Sequence, residues 1–275
     1  MAATIANIEM AQAWNGPEGD DWARDWEHYD AGAAGYHRRL LEAAAVQPGE
    51  RVLDVGCGNG QVARDLAAGG AQAVGIDLSR QMIAKARELA AGSAEFVEGD
   101  AQVHPFADGE FDVVVSRFGV MFFADREAAF RNLARATAPG GRLAVIAWAA
   151  LGDNEWLREV RGSLALGRDL PAPPPGAPSP FGLADVEPAT AMLQRAGYGD
   201  ATATLLSEDF VAGTDADDAY AFIGASGVVR GLLDGLSTEL QEQGRANLRA
   251  SLDKHDTGHG VVYGSAAWLF TGTRA

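Results

Sequence analysis

Three carboxylates, Asp54, Asp77 and Asp100, each stand near the end of a short apolar run, and the first leads into the glycine-rich turn Gly56-Cys57-Gly58-Asn59-Gly60. Glycine has no Cβ and adopts positive φ readily, so such a turn lets a ligand lie directly against the backbone. Asp77 follows Asp54 by 23 positions, an interval at which an acidic residue can accept ribose hydroxyls. A dinucleotide would use the same acid. However, its fingerprint needs a further glycine where this sequence has Gln61, and the lysine of a phosphate loop is missing. A glycine turn without a phosphate partner, followed by two more carboxylates, suits a nucleoside that carries no phosphate.

Other reactive side chains are few. Cys57 is the single cysteine, so no internal disulfide forms. It sits inside the turn with no base beside it and reads as a small packing residue. The histidines are His28, His37, His104, His255 and His259. His104 precedes Pro105 and shapes a loop, whereas His28 and His37 fall in an N-terminal region able to cover a site. His255 and His259 are spaced by four without a third ligand, so no metal site is expected. His255 is the candidate general base.

Strands and helices must bring these residues together. RVLDVG, QAVGIDLS, AEFVEGDA, FDVVVSRFG and RLAVIAW read as strands. Between them, GQVARDLAAGG, RQMIAKARELAAG and DREAAFRNLARATAPGG carry helical spacing, the last stopped by Pro139 and its glycines. Such alternation implies crossover connections and a parallel sheet, whose strand ends Asp54, Asp77, Asp100 and Ser116 would line one crevice. Residues 1–47 read as helices rich in Trp and Tyr. Beyond Trp148, 153–167, 184–197 and most of 215–254 read as helical. TATLLSEDFVAG and VVYGSAAWLFTGTRA read as strands, and the proline-rich 171–180 as a stiff extended connector.

VLDVGCGNG, GIDLS, GDA, FDVVVSRFGVMFF and LARATAPGGRLAVIAW, in that order, resemble the class I S-adenosylmethionine (SAM) dependent methyltransferases. Among these the sequence is most similar to the quinone-biosynthesis-like group that acts on small molecules. The resemblance is dense over residues 46–150. It implies an α/β fold with a Rossmann-like, seven-stranded, mostly parallel sheet, helices on both faces, an antiparallel final strand and a helical cap or insertion. Residues 1–47 would be the N-terminal cap, 48–150 the SAM-binding core, and 151–275 the rest of the sheet with substrate-side helices.

The resemblance also implies roles. Gly56, Cys57 and Gly58 would run along the methionine part of SAM, with Asp54 holding its ammonium and the Ser116 carbonyl pointing at it. Asp77 would accept the ribose hydroxyls, and Leu78 and Met82 would pack on adenine. Asp100 and the Ala101 N–H would read the adenine edge. S-adenosylhomocysteine (SAH) would be the product. Trp14, Tyr29, Phe118, Met121, Phe122 and Trp156 are candidates for the substrate side, although Trp156, like Phe181 and Trp268, also reads as core. The methyl group moves by in-line displacement to an O, N or C nucleophile. A carboxylate needs no base, whereas a phenol, with a pKa near ~10, benefits from one.

The net charge is −16, about −8 in residues 1–150 and about −8 in 151–275, with no basic stripe. That argues against nucleic acid as a main partner. The variable segments are apolar and aromatic, which suggests a small acceptor of the same character. No membrane span or signal peptide is read from the sequence, and a cytoplasmic location is expected. Two rivals stand beside the small-molecule reading. One is a protein or RNA methyltransferase. The other is a SAM-binding protein without methyl transfer, since residues that bind SAM are not those that activate a nucleophile.

Overall fold

The structure, a computed structural model, describes residues 4–170 and 177–275. Residues 171–176 of the expected extended connector therefore lie outside the described residues.

Four helices come first: α1 (Ile8–Trp14), α2 (Pro17–Arg24), α3 (Trp26–Gly32) and α4 (Ala34–Ala44). The alternating core follows as β1 (Arg51–Val55), α5 (Gln61–Ala68), β2 (Gln72–Asp77), α6 (Arg80–Ala90), β3 (Glu95–Glu98), β4 (Phe111–Arg117), α7 (Arg126–Ala136) and β5 (Thr137–Trp148). The remainder is α8 (Glu155–Ala165), α9 (Val186–Ala196), β6 (Thr202–Gly213), α10 (Ala216–Ala225), α11 (Gly227–Leu233), α12 (Thr238–His255) and β7 (Val261–Thr273). Among the described residues no helix is long and apolar enough to cross a membrane.

Among the described residues the strands make one seven-stranded sheet in the order β3-β2-β1-β4-β5-β7-β6. The pairs from β3 through β5 are parallel. β7 runs antiparallel to both β5 and β6, so the last strand alone opposes the rest, as the resemblance implied. The central strands are buried on both sides: Val52, Leu53, Val113, Val114, Val145 and Ile146 are fully enclosed. This is why they read as continuous apolar runs rather than alternating ones. Strand order reverses between β1 and β4, and a crevice opens there at the carboxyl ends.

Side-chain caps fix where the crossover helices begin. The Ser79 hydroxyl accepts from the Met82 N–H at the start of α6, and Asp125 accepts from the Ala128 N–H at the start of α7. One boundary differs from the sequence reading. α7 ends at Ala136 and β5 begins at Thr137, several residues before the expected RLAVIAW. Pro139 keeps Ala138 out of the helical region, so the chain turns extended at Thr137 (ψ 133°). Thr137 pairs with Phe111 before the register shifts to Val113 opposite Arg142.

Candidate functional site

A cavity of about 470 Å³ opens at the carboxyl ends of β1, β2 and β4, roofed by residues of α1–α3, α8, α10 and α11. Gly56 (φ 65°) and Gly58 (φ 55°) take the left-handed backbone that only glycine adopts freely. A Cβ on Gly56 would stand 2.7 Å from the Cα of Gly119. The loops after β1 and β4 thus touch glycine to glycine at the switch point. Gly56 and Cys57 both donate their N–H groups to the Ile76 carbonyl, at 2.8 and 3.1 Å, which ties the turn to β2.

The expected carboxylates are brought together here. Asp77 accepts from the Gly58 N–H (2.9 Å) and the Ser79 N–H (2.8 Å). Burial raises its pKa, and these backbone donors pull it back. Asp54, 1% exposed, accepts from the Ala63 N–H at 3.2 Å. Burial pushes its carboxyl up to about 7 against the pull of the nearby Arg117 guanidinium. Asp100 accepts from the Ala6 and Asn7 N–H groups, both at 2.9 Å, and from the Gln102 N–H at 3.0 Å. Its carboxylate therefore anchors the N-terminal segment across the cavity as well as lining it. Gly56, Cys57, Gly58, Leu78, Met82 and Ala101 line the same wall. Burial raises the Cys57 thiol well above its ordinary range, which leaves it a poor nucleophile.

Two expected residues do not turn their side chains into the cavity. Ser116 was expected to offer its carbonyl, and its side chain is turned away from the cavity. It is fully buried, donates its hydroxyl to the Val55 carbonyl (2.6 Å) and accepts from the Gly119 N–H (3.2 Å). Side chains alternate along a strand, and the next residue, Arg117, is the one that reaches the cavity. His255 is also outside. It ends α12 with its ring stacked on Tyr263 at 4.0 Å, and its Nδ1–H donates to the Ser251 carbonyl (2.8 Å). Its Nε2 lies 3.7 Å from Glu155, so the ring is held in a packing role.

The substrate-side aromatics do converge. Trp14, Tyr29, Phe118, Met121, Phe122 and Trp156 all line the cavity. Trp14 meets Phe122 and Trp22 edge-on, and Trp22 stacks on Tyr29 with centroids 3.6 Å apart. Opposite them Phe118 stacks on Trp148 at 4.0 Å and Trp156 on Phe210 at 4.5 Å. Trp156 is thus both cavity wall and core contact.

Sequence reasoning missed a buried polar cluster beneath the turn. Arg117 pairs with Asp30 at 2.6 Å, their side chains 14% and 8% exposed, and Asn59 donates its amide to the other Asp30 oxygen (2.9 Å). Arg117 also donates to Gln61 Oε1 and, at 3.3 Å, to His37 Nδ1. Since Nδ1 accepts, Nε2 carries the proton and donates to Asp65 (2.9 Å). Burial and Arg117 both lower the His37 pKa, which keeps this ring neutral. Gln61, the residue that breaks the dinucleotide pattern, therefore has its own structural partner.

Residues 53–145 match the family model described as a methyltransferase domain. Over these residues the chain carries a methyltransferase domain. Its match runs from Leu53 in β1 to Val145 in β5. It contains the turn and all three carboxylates, and it leaves out the N-terminal helices and everything after β5. An uncharacterized protein of Mycobacterium tuberculosis is 40% identical over 116 residues, 41% of this chain and 42% of that protein. Demethylmenaquinone methyltransferase of Beutenbergia cavernae is 42% identical over 110 residues, 40% of this chain and 45% of that one. The matches thus span less than half the length of these curated relatives. Phosphoethanolamine N-methyltransferase 2 of Haemonchus contortus, solved in complex with SAM, superposes with a TM-score of 0.59 at 17% identity, over 99% of this chain and 61% of its own. At that identity the likeness shows a methyltransferase-domain fold.

Proposed function

We propose that the protein transfers the methyl group of SAM to a small aromatic acceptor. The observation that carries this is the continuity of one cavity: a glycine turn with strand-end carboxylates on one side, stacked aromatics on the other. The residues suit the nucleoside and its amino-acid tail. Positive-φ glycines leave a cradle that a Cβ would fill, and Asp77 keeps unused lone pairs for ribose hydroxyls. Asp54, buried with a single backbone donor and a raised pKa, gains a counter-charge from a ligand ammonium. Leu78 and Met82 supply the apolar face for adenine. When bound, SAM supplies a methyl group already activated as a sulfonium.

The chain's own work is then to orient the acceptor and exclude water. The aromatic walls do both, and they favour a flat, apolar acceptor of the kind named by the demethylmenaquinone methyltransferase relatives. Residues 1–47 and the helices after β5 act in this reading as a cover on the 48–150 core. The net charge of −16 argues against a nucleic-acid substrate, and a cytoplasmic site fits a chain with one cysteine.

The test is incubation with methyl-labelled SAM and a panel of naphthohydroquinones and naphthols, followed by mass spectrometry. Label in an acceptor, lost when Phe118 or Trp22 is changed to Ala, is the expected result. Tight SAH binding with no label transferred across the panel would contradict the aromatic-acceptor reading.

A further inference from the structure

The carboxylates in the cavity wall are not equivalent. Asp30 is held by Arg117 and Asn59, and Asp54, Asp77 and Asp100 are held by backbone N–H groups. Glu18, half-buried on α2, also lines the cavity and, among the described residues, makes no hydrogen bond or ion pair. It stands one helical turn before Trp22, on the same face, so its carboxylate shares a wall with the Trp22–Tyr29 stack. Across from it lies Gly227 at the start of α11. A Cβ there would fall 1.9 Å from Glu18 Oε1, so the carboxylate rests on bare backbone.

We propose that Glu18 is the general base of the methyl transfer, and that the acceptor is an aromatic molecule with a neutral hydroxyl, not a carboxylate. The inference rests on the SAM reading above. As the acceptor oxygen bonds to the methyl carbon, the carbon–sulfur bond breaks and its electron pair stays on sulfur. The hydroxyl proton goes to the Glu18 carboxylate and from there to water. A carboxylate acceptor needs no base and would meet like charge at this wall. The charged groups facing Glu18 are Asp21 on its own helix and Arg230 on α11, with Tyr29 on α3. Burial and Asp21 raise the Glu18 pKa, and Arg230 opposes them, which improves the match between this base and a hydroxyl proton.

The test loads the protein with SAH and titrates in 2-naphthol, 2-methoxynaphthalene and 2-naphthoate. SAH binding is measured first, so failure of the SAM reading shows before any naphthalene is added. Wild type is expected to favour 2-naphthol by about tenfold or more over the other two. Glu18→Gln should still bind 2-naphthol, because its amide oxygen accepts, but should now bind 2-naphthoate comparably. Gly227→Ala, which displaces the carboxylate without removing it, should lose the preference for 2-naphthol over 2-methoxynaphthalene. With SAM, turnover of 2-naphthol should fall about 10²–10³-fold in Glu18→Gln, with KM little changed. Equal wild-type affinity for naphthol and naphthoate, no naphthol binding to SAH-loaded protein, or full turnover by Glu18→Gln would each overturn the proposal. The contrast among the three probes tests hydroxyl recognition, and the turnover of Glu18→Gln tests the role as base.

Discussion

Asp54 lies near the end of β1 in a place where a carboxylate is expensive to ionise, and its pKa moves from an ordinary 3.8 to about 7. The unfolded chain loses this proton near 3.8 and the folded chain near 7. Between those values the folded state holds more protons, so this group makes stability fall as pH rises, with no further change above about 7. A bound ammonium favours the ionised form, so ligand binding releases the proton. SAH affinity is therefore expected to rise between pH 5 and 7 and then level off, and Asp54→Asn should flatten that rise in calorimetry. An unchanged slope in the variant would remove Asp54 from the binding site. Arg117 sets a second expectation. Changing it to Met leaves Asp30 buried without its counter-charge, held by Asn59 alone, which should cost about 3–5 kcal/mol in urea unfolding. The further change Asp30→Asn should restore part of that loss. Asp54, Asp77 and Asp100 were legible in the sequence because strand ends of a parallel sheet face one crevice. Arg117 and Asp30 were not, because they are 87 residues apart and only the folded N-terminal helices make them partners. The end of β4 was legible as a cavity edge through the Ser116 carbonyl, but the Arg117 side chain that reaches the cavity beside it was not.

At the scale of elements, the alternating core was readable because its strands are short, apolar and punctuated by glycine. The N-terminal helices were expected as a cap, but nothing in their composition tells where they attach. That attachment runs through Asp100, whose Oδ2 accepts from Ala6 and Asn7, and through Asn15, which donates its amide to the Leu78 carbonyl at 2.9 Å. The cover is thus pinned to two of the loops expected to hold the nucleoside. Asp100→Ala should speed amide hydrogen exchange at Ala6 and Asn7 and weaken SAH binding by about tenfold through loss of the charged acceptor. Normal exchange at both amides would show that the cover is held by other contacts. His255 belongs at this scale too. Its place just before the last strand suggested chemistry, but the end of α12 is packed against Tyr263, away from the crevice.

For the whole molecule, the core cluster runs from Tyr36 through the central strands to Phe270, so the cover, the methyltransferase domain and the later helices share packing. A ligand bound at the crevice should then stabilise the chain as one body. At a concentration of about 100 times Kd, SAH should add about 2.7 kcal/mol. That corresponds to a rise of roughly 5–10 °C in Tm for a chain of this size. A second transition unaffected by SAH would show that the later helices melt independently.

The most direct measurement is calorimetric titration of the protein with SAH, beside the Asp77→Ala variant. Saturable one-to-one binding, weakened about a hundredfold or more when Asp77 loses its carboxylate, is the expected result. Well-folded protein that takes up no SAH, or an Asp77→Ala variant that binds it as well as wild type, would contradict a nucleoside site at the ends of β1 and β2.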